Sequence, residues 1–165
     1  MTQQPKKTGS RERVRAYLEA NGLAEGIFEF EPHSTKTAQQ AADRMGCELG
    51  QIVKTLVFVV DDAGVVVALV AGDQRADLDA LATHAGGARA RMANADEVRE
   101  ATGYAIGGVG PFDLPVDLRV FADESLLRFD VVYPAAGTPD SMVRMQREVL
   151  FDLARPTVVR LLHGG

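Results

Sequence analysis

The 165 residues of the chain carry a formal net charge of −5, with 25% charged and 46% hydrophobic residues. A chain of this length and hydrophobicity can build one ordinary domain around a real core, which excludes a disordered tail. The acidic balance argues against a protein that coats DNA or long RNA by neutralising phosphates. Any contact with nucleic acid is therefore expected to be local.

Signals for a membrane or for an oxidising compartment are missing from the sequence. The first residues are polar and lack the apolar stretch of a signal peptide. The longest apolar runs, such as 65–71, are far shorter than the roughly 20 residues that a bilayer span needs. The single cysteine, Cys47, cannot form an internal disulfide. We therefore expect a cytoplasmic protein without a membrane span.

The first predicted segment, 1–9, is polar, contains two lysines and has no hydrophobic periodicity. This pattern predicts a flexible N-terminal arm. No repeat, low-complexity tract or linker divides the rest, so 10–165 is predicted to form a single domain. The first half is predicted to contain a helix at 10–20 capped by Ser10, a strand at 27–30, a helix from the capping box at 37–40 to Met45, and a hairpin of strands 51–60 and 65–71.

The second half continues the mixture of short helices and strands. The predicted elements are helices at 77–85, after Asn94 and at 147–154, and strands at 89–92, 118–121, 129–133, 141–145 and 157–161. About seven strands and four or five helices result. Their order predicts a mixed α/β fold with a barrel-like sheet and helices packed outside it. A doubly wound fold is excluded because helices do not separate every pair of strands.

Lys54 is the unusual residue of the strand predicted at 51–60. Side chains alternate along a strand, so Lys54 shares a face with Leu56 and Phe58, and the other face is equally apolar. Such a strand is usually covered on both sides, where an ammonium without a partner is costly. Either the lysine protects a sheet edge or carries its charge to water, or it projects into a cleft and meets a ligand oxygen.

Three glycines and a proline stand within Gly107–Pro111. The segment lacks the strand, G-x-G-x-x-G and helix of a dinucleotide site, and it does not have the P-loop pattern, so both classes are excluded. A backbone this bent can point amides at a ligand oxygen and stabilise a developing oxyanion. A tight turn between elements is the alternative interpretation.

Metal chemistry and side-chain nucleophiles have no support in the sequence. The three histidines, His33, His84 and His163, occur without H-x-x-x-H spacing or a serine-centred elbow, and no C-x-x-C is present. Cys47 follows a helix stop and is more typical of a small buried residue. We therefore expect no metal and no cofactor. The candidate site is Lys54 with the glycine-rich segment.

Three stretches, taken in order and spacing, resemble the YbaK/ProX family. They are Ser34–Ala42 (STKTAQQAA), Glu48–Leu56 (ELGQIVKTL) and Ala101–Phe112 (ATGYAIGGVGPF), and the resemblance covers about 27–162. The family comprises free-standing relatives of the editing domain of bacterial prolyl-tRNA synthetases. The resemblance implies a mixed, barrel-like sheet flanked by helices and an enzyme that hydrolyses the ester of wrongly charged aminoacyl-tRNA.

The resemblance also implies roles for individual residues. Lys54 matches the essential lysine of the family, and Gly107–Pro111 matches its G-x-x-x-P loop. Lys54 is then expected to hold the terminal adenosine or the phosphate beside it, while the amides of Gly107 and Gly108 bind the ester carbonyl as it becomes an oxyanion. No side-chain base is evident, so the attacking water would be positioned by the terminal ribose hydroxyl or by the substrate itself.

Further residues are predicted to contact the substrate. Some relatives carry a histidine or an aspartate within 137–142, and Met142 stands here where certain members have Asp. Asp140 lies close by and either recognises the amino group or is a solvated turn residue. Core packing and sheet pairing are the alternatives for Phe30 and Thr55. The predicted substrate-binding residues are Phe30, Thr55, Val109, Gly110, Pro111 and Asp140.

The predicted function is a deacylase that acts in trans on the acceptor end of an aminoacyl-tRNA, with tRNA(Pro) as the expected tRNA. Prolyl-tRNA synthetase is a candidate second partner, and the oligomeric state stays open. A non-catalytic module for an aminoacyl-tRNA end or nucleotide-like ligand, and a domain that docks on a synthetase, are the alternatives. The basic N-terminal cluster either contacts phosphates or is a solvated face; its residues are Lys6, Lys7, Arg11, Arg13 and Arg15.

Overall fold

A computed structural model describes residues 10–32, 35 and 37–162. The predictions for the arm at 1–9 and for His33 and His163 lie outside these residues. Within them, the mixed α/β fold, with a curled sheet and helices packed on it, is confirmed. No α-helix among the described residues has the length and apolar character that a bilayer crossing requires.

Three of the five helices in the described residues begin after a residue whose side chain caps them: Thr37, Asp77 and Asn94. The five helices are α1 (Ser10–Ala20), α2 (Ala38–Met45), α3 (Leu78–Ala85), α4 (Ala95–Thr102) and α5 (Arg147–Ala154). At the start of α2, the Thr37 hydroxyl accepts from the Gln40 amide at 3.1 Å, and the Gln40 side chain accepts from the Thr37 amide. The predicted capping box is therefore confirmed. Gly46 ends this helix in the left-handed region, with φ 67°.

In the described part of the chain, nine strands form two sheets. They are β1 (Ile27–Glu29), β2 (Ile52–Val60), β3 (Gly64–Ala71), β4 (Ala90–Met92), β5 (Arg119–Asp123), β6 (Val131–Pro134), β7 (Ser141–Val143), β8 (Met145–Gln146) and β9 (Thr157–Val159). The main sheet has the order β8-β6-β2-β3-β5-β9, with β4 also paired to β2. The predicted hairpin of β2 and β3 is antiparallel, whereas β3 and β5 pair in parallel. No pairing joins β8 to β9 among the described residues, so this sheet is open.

The strand predicted at 141–145 is wrong as a single element. Its first part, β7, pairs antiparallel with β1 in a separate two-stranded sheet, and its last part, β8, pairs with β6 in the main sheet. The chain changes sheets at Arg144, whose amide donates to the carbonyl of Gly26 at 2.8 Å. The strand predicted from Phe129 starts later, at Val131, because a 3₁₀ helix occupies Glu124–Arg128.

Both faces of β2 are covered, as the apolar alternation predicts. Val53 and Val57 belong to a cluster that includes Leu18 of α1 and Leu150 of α5. On the other face, Phe58 and its neighbours pack against the buried residues of α3. A central strand covered by helices on both sides has little access to water except where the sheet is interrupted.

Candidate active site

β4 and β6 pair with the same edge of β2, but the pairing is interrupted near the middle of the strand. Ile52 and Val53 pair with β6, and Phe58 to Val60 pair with β4, but 54–57 have no strand partner on this side. The Val57 carbonyl accepts from the Ala93 amide at 3.0 Å, so odd-numbered residues direct their main-chain groups toward this edge. The N–H and C=O of Thr55 therefore point into the gap.

A cavity of about 400 Å³ opens beside this gap. Its walls come from β2, the N-terminal turn of α2, Val98 of α4, and parts of the segments 106–109 and 135–142. Lys54 carries the one formal charge among the described residues that line it. Mostly apolar walls with a few convergent polar groups are typical of sites for small molecules or for one end of a larger ligand.

The ammonium of Lys54 is half-buried at this cavity and donates to the main-chain carbonyl of Gln74. Among the described residues, no carboxylate lies within ion-pair distance of it. Burial, and next the positive charge of Arg75, lower the pKa of Lys54, while Asp73 opposes them. Asp73 itself is paired with Arg128 at 2.9 Å. Lys54 is thus a partly desolvated cation whose remaining N–H donors can bind an anion.

Two residues of the glycine-rich segment, Gly107 and Val109, line the cavity. Gly107 is exposed with φ +86°, a conformation that favours glycine, and it lines the cavity together with Ile106 and Val109. The Gly108 amide donates to the carbonyl of Ala105 at 3.1 Å. That amide is therefore engaged within the turn, and the predicted role of Gly108 requires it to exchange this carbonyl for the substrate.

Close packing between two loops explains the other glycines of the segment. A Cβ on Gly110 would lie 2.9 Å from the Ala135 carbonyl oxygen, and one on Gly108 would lie 3.1 Å from the Cα of Thr138. The segment therefore rests directly on the loop that precedes β7. The segment makes a tight turn, and Gly107 and Val109 place part of that turn at the cavity wall.

One side-chain oxygen of the cavity wall, in the described residues, is buried without a hydrogen-bond partner. The side-chain oxygen of Thr55 is buried and is the single described buried side-chain N or O atom that makes no hydrogen bond. A buried hydroxyl without a partner costs about 1–3 kcal/mol, so a site that keeps one is a candidate for recognition of a polar ligand group. The open main-chain groups of the same residue strengthen this interpretation.

Four of the nine predicted site residues line the cavity: Lys54, Thr55, Gly107 and Val109. The other five do not, and they are Phe30, Gly108, Gly110, Pro111 and Asp140.

The predicted site residues that do not line the cavity make other contacts. The Phe30 amide donates to the carbonyl of Asp140 at 2.8 Å, which ties the end of β1 to the loop before β7. The Phe30 ring packs on a small cluster that includes Met142. Pro111 lines a second cavity, of about 440 Å³, together with Tyr17 and Leu118.

Sequence reasoning missed several cavity residues. Met92 and Ile106 stand at the rim with 57% and 56% of their surfaces exposed. The sequence around Met92 and Ile106 gives no sign that either lines a site, because each is a single apolar residue without a motif. Thr35, which is buried and donates to the Pro139 carbonyl at 2.7 Å, does have a signal, since it lies in the first stretch that carries the family resemblance.

The arginines of the predicted basic cluster contact carboxylates in the structure. Arg11 and Arg15 both pair with Glu29, and Arg13 pairs with Asp113 at 3.0 Å. These side chains hold α1 to its neighbours. Lys6 and Lys7 lie outside the described residues.

A family model described as the aminoacyl-tRNA editing domain matches residues 32–153. The chain belongs to the aminoacyl-tRNA editing domain family. The matched range contains the gap in β2, Lys54 and the whole glycine-rich segment. The resemblance read from the three sequence stretches is therefore confirmed.

Individual relatives agree with this membership over nearly the whole chain. The uncharacterized protein YwhH of Bacillus subtilis is 36% identical, covering 86% of this chain and 88% of that protein. The multifunctional Ser/Thr-tRNA deacylase ProXp-y of Escherichia coli is 34% identical over 96% of both chains. A crystal structure of a candidate trans-editing enzyme for prolyl tRNA synthetase superposes with a TM-score of 0.85 at 40% identity, covering 99% of this chain and 100% of that one.

The described part of the chain offers no cluster of metal-binding side chains. Its His, Cys, Asp and Glu residues form no group of three or more that could hold an ion. The residues around the cavity offer one ammonium, hydroxyls and main-chain groups. Their chemistry is that of anion binding and hydrogen bonding.

Proposed function

We propose that this member of the editing family hydrolyses the ester bond of mischarged aminoacyl-tRNA, acting in trans on the acceptor end. The observation that carries the proposal is the joint position of a half-buried ammonium, Lys54, and an exposed glycine turn at Gly107 on one cavity. An aminoacyl-tRNA end carries an anionic phosphate and an ester carbonyl on the same terminal nucleotide. These are the two groups that such a cavity can hold.

Lys54 is proposed to bind the phosphate next to the terminal adenosine. Its ammonium is partly desolvated and has no carboxylate partner among the described residues, so an incoming phosphate would supply the missing opposite charge. Hydrogen bonds between charged groups are about twice as strong as neutral ones. The lysine is a positioning group for the ester and needs no change of its own protonation state during the reaction.

The turn at Gly107 is proposed to stabilise the oxyanion that forms when water attacks the ester carbonyl. Gly107 and Val109 line the cavity, so their amides are the candidate donors. The Gly108 amide can join them only if it leaves the Ala105 carbonyl. Removal of one oxyanion donor from an enzyme typically lowers kcat by about a hundredfold or more, so a fixed turn can supply much of the acceleration.

Water attack without a side-chain base fits the described residues of the wall, which include no histidine and no carboxylate. The water would be positioned by the terminal ribose hydroxyl or by the amino group of the substrate. The ester is broken at its acyl–oxygen bond, giving the free amino acid and an intact tRNA. Placement of water and ester together converts an otherwise bimolecular step into an effectively unimolecular one.

Thr55 is proposed to contact the acyl group. Its hydroxyl has no partner, and its main-chain N–H and C=O face the gap in the sheet. A hydroxyl-bearing acyl group such as serine or threonine would satisfy that side chain, which is in keeping with the relative named as a Ser/Thr-tRNA deacylase. Alanine and cysteine remain substrates to be tested.

Thr55→Val keeps the shape of the side chain and removes the hydroxyl. We expect deacylation of a hydroxyl-bearing acyl group to slow by about tenfold, because a hydrogen bond inside the site is lost. The melting temperature should stay the same or rise, because an unpartnered hydroxyl leaves the interior. Rates on seryl- and alanyl-tRNA, measured side by side, check this. Equal slowing on both would remove Thr55 from acyl recognition.

The test of the function incubates the purified protein with tRNA(Pro) bearing alanine, cysteine, serine or threonine and follows ester loss. We expect at least one ester to disappear well above the spontaneous rate, and prolyl-tRNA to persist. No acceleration on any of the four would contradict the proposed activity, and binding without turnover would favour a non-catalytic module.

We further propose which tRNA the enzyme acts on and which protein it acts with. The structural relative described as a candidate trans-editing enzyme for prolyl tRNA synthetase supports tRNA(Pro) as substrate and that synthetase as a partner. The activity would then operate in the cytoplasm, where aminoacyl-tRNA is made and used. Repeating the assay with tRNA(Ser) and tRNA(Thr) bearing the same acyl groups tests the tRNA preference.

A further inference from the structure

One arginine joins the two ends of the segment 102–113, which carries Gly107. We call these ends, Thr102 and Asp113, the neck of the segment. Arg13, on α1, donates from Nη1 to the Thr102 carbonyl at 2.9 Å and from Nη2 to the Asp113 carbonyl. Its Nε also donates to the Asp113 carboxylate at 3.0 Å. The two carbonyls are the first and the last of the segment 102–113, so a single guanidinium joins its ends.

A buried tyrosine lies across the same neck. The ring of Tyr104 has no exposed surface, and the guanidinium carbon of Arg13 lies 4.7 Å from its centroid. The Tyr104 hydroxyl donates to the carbonyl of Phe112 at 2.5 Å, and its amide donates to the Thr102 hydroxyl at 3.1 Å. Tyr104 therefore contacts both ends of the segment, through its amide at Thr102 and through its hydroxyl at Phe112, beside the guanidinium of Arg13.

Arg13 packs closely against both ends of the segment, at Gly103 and at Asp113. A Cβ on Gly103 would lie 2.5 Å from Nη1 of Arg13, so a side chain there would displace the guanidinium. Asp113 adopts φ +53°, which is uncommon for a residue other than glycine, and both its carbonyl and its carboxylate bind Arg13. A strained conformation persists only where its surroundings hold it.

We propose that Arg13 is a positioning residue that fixes the turn at Gly107–Pro111 against the cavity, with Tyr104 as its support. The inference rests on the proposed function, in which the main chain of this turn binds the oxyanion. Oxyanion donors act only when held in place before the reaction, and a misplacement of about 1 Å can cost a hundredfold in rate. Arg13 contacts the two ends of the segment and is not among the residues that line the cavity.

The planar fork of arginine is what this geometry requires. Three N–H donors of one guanidinium reach two carbonyls and a carboxylate, whereas an ammonium has a single centre and cannot bridge the two ends. Arg13→Lys therefore keeps the charge and removes the bridge. Arg11→Lys is the matched control, because Arg11 lies on the same helix and pairs with Glu29.

The first readout is steady-state deacylation. Arg13→Lys is expected to lower kcat by about tenfold or more with KM unchanged, and Arg11→Lys is expected to behave as wild type. Tyr104→Phe removes one hydroxyl, keeps the ring, and should lower kcat in the same direction by less. A raised KM at unchanged kcat would overturn the proposal and make Arg13 a substrate-binding residue, and equal behaviour of the two lysine variants would also overturn it.

The second readout needs no activity. Hydrogen exchange of the amides at 108–110, which belong to buried residues, should be faster in Arg13→Lys than in wild type and unchanged in Arg11→Lys. Unchanged exchange in Arg13→Lys would overturn the proposal. If exchange accelerates while the wild-type protein deacylates none of the four tRNAs, the positioning role holds and the proposed function fails.

Discussion

Replacement of Lys54 by methionine is expected to lower kcat/KM for deacylation by about 10- to 100-fold. Methionine keeps an unbranched chain of similar length and removes the ammonium, which is the one charge among the described residues of the cavity wall. In the proposed mechanism, the substrate phosphate then has no cation at this site. Single-turnover deacylation of the mischarged tRNA that the wild-type protein cleaves best measures the effect.

Loss of activity in Lys54→Met should come without loss of stability. Lys54 is a half-buried cation whose pKa is lowered by burial, so the folded state holds this charge at a cost. The melting temperature at neutral pH is expected to stay the same or rise. Arg89→Met is the control, since it removes an exposed cation near the far end of β2. Wild-type rates in Lys54→Met would exclude the lysine from the mechanism.

The same lowered pKa has a consequence for stability at alkaline pH. The unfolded chain keeps the Lys54 proton up to its ordinary pKa of 10.5, while the folded chain loses it at lower pH. Between these two values the unfolded state binds more protons, so this group makes the free energy of unfolding rise with pH. The rise should be absent from Lys54→Met in urea titrations across that range.

The second large effect concerns a buried carboxylate away from the cavity. Asp123 ends β5 with no exposed surface; one oxygen accepts from the Leu161 amide at 2.7 Å, and the other accepts from the amide and the hydroxyl of Ser125. It joins the start of the 3₁₀ helix to the segment after β9. Asp123→Ala would leave two amides without acceptors, and we expect the free energy of unfolding to fall by about 3 kcal/mol.

Urea unfolding followed by circular dichroism measures the change. Asp117→Ala is the control, because that aspartate is exposed in the segment before β5 and should change stability by less than about 0.5 kcal/mol. Asp123→Asn should fall between the two, since its amide offers one acceptor where the carboxylate offers two. A stability of Asp123→Ala equal to that of Asp117→Ala would show that these hydrogen bonds contribute nothing net.

Prediction from the sequence succeeded where local chemistry decides the structure. The capping boxes at Thr37 and Asn94 determine where two helices begin, because the side chain and the amide that bind each other are three residues apart. The strand around Lys54 was predicted with its two apolar faces for the same reason, since alternation is a local property. These signals act within a few residues of the chain.

Prediction from the sequence failed where contacts with a distant segment determine the structure. The strand predicted at 141–145 is divided between two sheets because the Arg144 amide binds the Gly26 carbonyl, more than a hundred residues earlier. Only four predicted site residues line the cavity, because its shape depends on where β4 and β6 stop along β2. Arg13 was grouped with a basic surface, since its partners at Thr102 and Asp113 come together only in the fold.

The sequence by itself determined the class of fold, the family and the two places where chemistry is expected, Lys54 and Gly107–Pro111. Each of these depends on residue type and spacing along the chain. Only the tertiary structure decided that both places face one cavity, that Thr55 presents an unpartnered hydroxyl there, and that the Gly108 amide is already engaged. The physical reason is that hydrogen-bond partners and burial are properties of contacts between distant segments, which spacing along one segment does not record.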